Sequence, residues 1–397
     1  MDKKAHNSTD MASLLELVQQ VQVAAEAVAS GTGGGDNLQL MQAIQKLSRV
    51  AESPAERLKR ILYQLVQNSI VRLAVEMGLP PALVEAKEMS AYELAVKCGA
   101  DKLLVVRVMR VLAAMDMVDE IGEEQYRASP TTETLASVTW TGAVRFQHDV
   151  LIPTYAKLTE YYRDNSFLPS ENTVVKYATG VDFWTFLKER PSLYQDFSAY
   201  MRGRKDGSPR WLDYFPVSTQ VSDLSIAEDA VTLVDVGGNL GHDVQVFRER
   251  CPDIPGKVVL MDLPVVLREI KDPLVGIEKV EYDFFTPQPV VDAKFYIFRC
   301  ICHDWPDEEC VKFLGNTVKA MKPGYSRLLI NDHVLPNMGV DLYPALLDMT
   351  MMTFFNAMER TETQWRTLLG RLGLDIVKIW RHKAGGSEAV IETMLKE

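Results

Sequence analysis

From residue 231 onward the chain alternates short apolar runs with amphipathic stretches of helix length. The runs fall at 231–236, 257–261, 280–283, 295–299, 327–332, 374–380 and 389–394. Most are continuously apolar, the pattern of strands buried on both faces, so they predict an α/β fold with a seven-stranded, mainly parallel sheet covered by helices on both sides. The last two runs are joined through Gly385-Gly386, too short for a crossover helix, which predicts an antiparallel hairpin. The N-terminal part has a different period. Two amphipathic helices are expected at 10–30 and 37–50, around a flexible glycine linker at 31–35. Next come a helix at 91–97, a turn at Cys98-Gly99, a second helix carrying Leu103, Leu104, Val106, Val108, Val111, Leu112 and Met115, and a hairpin at 118–127. Helix, turn, helix, hairpin reads as a winged helix. Residues 133–215 are helical and aromatic-rich, so the expected division is 1–52, 53–132 and 133–397.

The first apolar run breaks into a glycine turn, Asp235-Val-Gly237-Gly238-Asn-Leu-Gly241, and the second ends in Asp262-Leu263. An acid about 20 residues past such a turn grips ribose hydroxyls at the carboxyl ends of parallel strands. A dinucleotide turn starting at Gly237 would need glycines where Asn239 and His242 stand. The spacing instead suits a nucleoside ligand without a pyrophosphate whose amino acid part lies on the turn, a description that S-adenosylmethionine fits.

Composition narrows the partners. A formal net charge of −11 repels a phosphate backbone and argues against nucleic acid. The winged-helix stretch 90–130 holds five Lys or Arg against seven Asp or Glu, the wrong sign for a DNA-reading head. Its second helix is apolar around much of its circumference, which favours burial against another chain, hence a homodimer. No apolar run approaches the roughly 20 residues of a membrane span, and the N-terminus lacks a signal-peptide layout, so no membrane contact and a cytoplasmic location are expected. Five scattered cysteines suit reduced thiols. Cys300 and Cys302 are too close in sequence for a usual zinc pair, and no metal is expected.

The candidate chemistry follows the fourth strand. Asp304 reads as a helix N-cap with Pro306 in the first turn, so Asp304 and Asp307 have a structural reason to be there. His303 has none, and it falls at the sheet edge where ligands bind. Asp332 ends the fifth strand at the same edge, and Glu359 precedes a helix starting near Thr361. A carboxylate on one ring nitrogen holds a histidine in one tautomer and frees the other nitrogen to take a proton. Met349, Met351, Met352, Phe354 and Phe355 offer soft apolar walls for a hydrophobic, aromatic or polyketide-like acceptor, with Asn356 as a polar anchor; period alone does not separate the wall residues from helix core.

The motifs LVDVGGNLGH, VLMDLP, EYDFF, FRCICHDWPDEEC, INDHVLP and NAMERTE, in this order, resemble the plant-type, caffeic-acid-like S-adenosylmethionine-dependent O-methyltransferases and their relatives in fungal secondary metabolism. The resemblance covers nearly everything after about residue 55. It implies a class I methyltransferase Rossmann-like domain behind a winged-helix dimerisation domain. It further implies that Gly237 and Asp262 hold the methionine and ribose parts, that Asp283 and Phe284 contact adenine, that Arg299 stands where plant members carry lysine near the cofactor, and that His303 is the base between Asp332 and Glu359. Asp332 replaces a longer glutamate and Asn239 a frequent glycine. Two other readings stay open. A bound sulfonium cation could assist a rearrangement without losing its methyl group. A cofactor-sensing DNA-binding regulator is the non-enzyme reading.

Overall fold

The computed structural model describes residues 3–30, 37–203, 209–222, 226–382 and 385–396. The glycine linker at 31–35 lies outside them. The chain forms two units, Met1–Tyr161 with Trp184–Ser208, and Tyr162–Phe183 with Pro209–Glu397.

In the first unit, helices α1 (Lys3–Ala29) and α2 (Leu38–Ala51) precede α3 (Pro54–Glu76). The start of α3 is fixed by a capping box in which the Ser53 hydroxyl accepts from the Glu56 N–H and Glu56 accepts from the Ser53 N–H. The helix α4 (Leu79–Ala86), strand β1 (Glu88–Ser90), helices α5 (Ala91–Cys98) and α6 (Lys102–Ala114), and strands β2 (Asp119–Gly122) and β3 (Gln125–Arg127) follow. Gly99 at φ +64° makes the left-handed turn between α5 and α6, and Asp101 caps α6 by accepting from the Leu104 N–H at 2.9 Å. The strands pair as β1-β3-β2, which completes the winged helix.

One expectation needs correction. Most apolar residues of α6 do not face outward: Val105, Val106, Val108, Met109 and Leu112 are buried in this unit's own core with Leu79, Leu83, Leu94 and Tyr126, and only Leu103 and Leu104 in its first turn are exposed. The exposed apolar face belongs to α3, where Leu58, Ile61, Leu62, Leu65 and Val66 are all at least half exposed. Helical spacing puts those five on one stripe, whereas α6 spends most of its apolar residues holding the fold together.

The second unit is built on seven strands: β4 (Val231–Val236), β5 (Lys257–Asp262), β6 (Ile277–Glu281), β7 (Phe295–Arg299), β8 (Arg327–His333), β9 (Leu374–Arg381) and β10 (Glu388–Leu395). Their order is β6-β5-β4-β7-β8-β10-β9. The first five are parallel, and β10 runs antiparallel to both β8 and β9. Neighbouring residues point to opposite faces, so Val234, Val236, Tyr296, Phe298 and Ile330 fill one core with Phe313 and Trp365, while Leu233, Phe295, Ile297 and Leu329 fill the other with Trp211, Phe215 and Phe247. Each such side chain contributes about 1.5–3 kcal/mol by leaving water. The sheet is therefore a rigid platform with its carboxyl ends on one edge. β6 ends at Glu281, two residues before the expected end, so Asp283 sits in the turn that follows.

Candidate active site

Gly237 follows β4 directly, and its φ of +71° is a left-handed conformation that favours glycine. The Gly237 N–H donates back to Met261 O at 2.8 Å, hooking the turn onto β5. A Cβ on Gly238 would collide with the Asp235 carboxylate and with Leu260, so the backbone there lies flat on the strand ends. Asp262 closes the cradle. Its carboxylate accepts the Asn239 N–H at 2.8 Å and the Leu263 N–H at 2.7 Å, a brace that still leaves lone pairs for two ribose hydroxyls. Burial pushes the Asp262 carboxyl above its usual range against the pull of those two N–H groups. The Phe284 ring lies beside Gly237 and packs on Phe313 and Trp305, while Asp283 braces its own turn by accepting the Phe285 N–H at 3.0 Å. The flat glycine backbone, the braced acid and the aromatic wall suit the amino acid, ribose and adenine parts of S-adenosylmethionine.

Arg299 ends β7 and is fully engaged. Its guanidinium donates to Asn331 Oδ1 at 2.8 Å and Asp243 Oδ2 at 3.1 Å, and Glu388 lies at 3.5 Å. Asp243 is in the first turn of the helix that follows the glycine turn. Arg299 thus anchors that helix to the sheet edge.

The acid–base cluster sits past β7 and β8. A short 3-10 turn, Cys302–Asp304, carries His303, which is 6% exposed. Its Nδ1–H donates to Glu359 Oε1 at 2.8 Å, and Asp304 Oδ1 lies 3.6 Å from Nε2. Glu359 is 2% exposed and is itself placed by its N–H donating to Asp348 Oδ1 at 2.8 Å. Asp332 is at the same edge without bonding to the imidazole, and neither of its buried carboxylate oxygens has a hydrogen-bond partner among the described residues. Burial would depress the His303 pKa, but Asp304, the Glu359 hydrogen bond and Asp332 outweigh it and hold the imidazole well above the ordinary histidine value. Burial likewise raises the Asp332 carboxyl to about 7, with the His303 charge opposing the shift.

One local expectation fails. Asp304 does not cap a helix: Pro306 takes that place, and the helix runs Asp307–Ala320. Thr361 and Gln364 form the capping box of the helix Glu362–Arg371, so Glu359 is not used as a cap. Both acids are left to serve the imidazole. Sequence reading also missed Arg360, which is fully buried. Its guanidinium donates to Cys302 O at 2.7 Å, Trp305 O at 2.8 Å and Asp307 Oδ1 at 2.8 Å, over the Trp365 ring. It ties the His303 turn to the segment bearing Glu359, and the only sequence signal was an arginine next to the candidate acid.

On the helix Leu342–Phe355, Met351 and Phe354 are core residues, whereas Met349, Met352 and Phe355 are only partly covered. Tyr162 Oη donates to Met352 Sδ at 3.1 Å, and Phe183 meets Phe355 edge-on. Asn356 is not an open polar anchor. It ends the helix at φ +54°, and its Nδ2 donates to Ser170 O at 3.0 Å.

A mostly parallel seven-stranded sheet with a glycine turn at its carboxyl edge is the fold of a class I methyltransferase. Comparison with known proteins agrees. The O-methyltransferase domain family matches residues 164–375, and the O-methyltransferase dimerisation domain matches residues 59–137. The chain is similar to the methyltransferase cfoC of Aspergillus candidus, at 32% identity over 349 residues, 86% of this chain and 87% of that one. It is similar to the demethylsterigmatocystin 6-O-methyltransferase of Aspergillus parasiticus at 31% identity over 319 residues, 79% of this chain and 81% of that one. Among solved structures, one described as a pericyclic reaction enzyme superposes with a TM-score of 0.86 at 27% identity, covering 97% of this chain and 100% of that one. LepI in complex with SAM gives 0.85 at 29% identity, covering 98% and 100%. OxaC in complex with SAH and oxaline gives 0.80 at 27% identity, covering 98% and 100%. The chain belongs to the O-methyltransferase family.

Proposed function

We propose that this protein methylates a hydroxyl of a hydrophobic, aromatic or polyketide-type secondary metabolite, with His303 as the general base. S-adenosylmethionine, when bound, supplies an electrophilic methyl group on a sulfonium. Asp262, the Gly237-Gly238 backbone, Asp283 with Phe284, and the turn from Asp235 to Gly241 would hold it, with Arg299 anchoring the neighbouring helix. The observation that carries the reading is the buried His303 Nδ1–Glu359 Oε1 bond of 2.8 Å, which leaves Nε2, with Asp304 Oδ1 3.6 Å away, as the nitrogen that takes a proton from the acceptor. Proton removal by a positioned base contributes ~10²- to 10⁴-fold, and holding both reactants in near-attack geometry supplies more. Met349, Met352 and Phe355 would line the acceptor site, apolar walls that suit a hydrophobic acceptor, and one relative is named a demethylsterigmatocystin 6-O-methyltransferase. The dimerisation-domain match, together with the apolar stripe of α3, supports a homodimer.

A second reading is favoured by the likeness to a pericyclic reaction enzyme: a bound cofactor whose charge assists a rearrangement while its methyl group stays in place. Mass spectrometry of reactions with S-adenosylmethionine and a panel of phenolic polyketides separates the two. Methyl transfer gives a product heavier by one methylene and one equivalent of the demethylated cofactor. A converted product of unchanged mass, with the cofactor intact, would establish the second reading instead.

A further inference from the structure

One set of side chains at the sheet edge, with Cys300 half-buried and His303 and Asp332 buried, offers more than proton transfer. Ligand atoms of Cys300, His303 and Asp332 all lie within 4.8 Å of one another. Cys300 and His303 follow β7, Asp332 lies on β8, and Asp332 is 1% exposed with both carboxylate oxygens unpartnered among the described residues. A buried carboxylate without donors is costly unless something satisfies it. The neighbouring Cys302 is turned into the hydrophobic core, so the fold recruits Cys300 with the acid of the adjacent strand rather than with the second cysteine.

We propose that Cys300 Sγ, His303 Nε2 and a carboxylate oxygen of Asp332 form a site for a zinc-like divalent cation. Thiolate, imidazole and carboxylate are all zinc ligands, and three of them leave the fourth tetrahedral position open to water. A thiolate and a carboxylate together carry two negative charges, which a dication neutralises. Glu359 already holds His303 Nδ1 at 2.8 Å, the carboxylate–histidine support that orients the other ring nitrogen toward a metal. Coordination releases the Cys300 thiol proton to solvent. Because the same Nε2 takes the acceptor's proton in the proposed reaction, an occupied site blocks methyl transfer; that consequence rests on the general-base reading, whereas binding does not.

The full-length protein, stripped with a chelator, is titrated with Co²⁺ as a spectroscopic substitute and then with Zn²⁺. One equivalent per chain should produce a thiolate-to-cobalt charge-transfer band, abolished in Cys300→Ser and kept in Cys98→Ser and Cys251→Ser. Glu359→Gln should lower affinity by about 10- to 100-fold. X-ray absorption on the zinc-loaded wild type should show one sulfur and mixed nitrogen and oxygen neighbours, a readout independent of any variant's folding. A wild type without the band, a band that survives in Cys300→Ser, or a zinc shell without sulfur overturns the site. A Cys300-dependent band with undiminished methyl transfer would uphold the site and remove His303 as the base.

Discussion

Two aspartates stand at the same sheet edge, Asp262 at the end of β5 and Asp332 near the end of β8, and they are built in opposite ways. Asp262 is braced by two N–H groups within 23 residues of it, at 2.7 and 2.8 Å. Asp332 is buried with no donor among the described residues, beside an imidazole whose bonded partner, Glu359, lies 56 residues along the chain. The cofactor half of the edge is satisfied before any ligand arrives. The acid–base half is held under electrostatic tension by packing, by Asp348 and by the Arg360 clamp. A rigid cradle beside a strained proton acceptor is how a stable fold keeps a reactive group poised.

The comparison breaks most visibly at His303. His303→Ala should cut methyl transfer by about 10²-fold or more while leaving cofactor affinity nearly unchanged, as read by single-turnover kinetics beside calorimetry. On the cradle side, Asp262→Ala should weaken cofactor binding by roughly 1.5–3 kcal/mol, the range for a charge-assisted hydrogen bond. Unchanged calorimetric affinity in the folded variant would remove Asp262 from the site. The smallest effect concerns stability. A carboxyl raised in the folded state keeps its proton there after the unfolded chain has lost it, so its contribution falls away as pH rises from its ordinary 3.8 to about 7. Asp332→Asn should therefore melt a few degrees above wild type at pH 8 and lose that advantage at pH 4, even as its turnover falls. A lower melting temperature at pH 8 would mean that Asp332 is satisfied after all.

How much could be read beforehand follows the same divide. The sheet was legible because runs such as Val231–Val236 and Phe295–Arg299 are short, mostly apolar and rich in β-branched or aromatic residues, and the glycine cradle because its residues stand together in sequence. His303, Asp332 and Glu359 were singled out by position at strand and helix ends. The absence of an Asp332–His303 bond, the engagement of Arg299 by Asp243 and Glu388, and the Arg360 clamp were not readable, since each depends on side-chain directions set by distant packing. Met351 and Phe354 could not be told from Met352 and Phe355 by period, because the helix Leu342–Phe355 is apolar all round.

The central claim is that His303 takes the acceptor's proton, and the pH dependence of methyl-product formation tests it most directly. Asp304, Glu359 and Asp332 hold the imidazole above its ordinary pKa, so the base is protonated at low pH and its activity is gained as pH rises through that elevated value. Wild-type single-turnover rates should climb from neutral into alkaline pH, above the ordinary histidine range, and His303→Ala should lose both the rate and this rise. An alanine variant with the same profile and rate as wild type would contradict the claim.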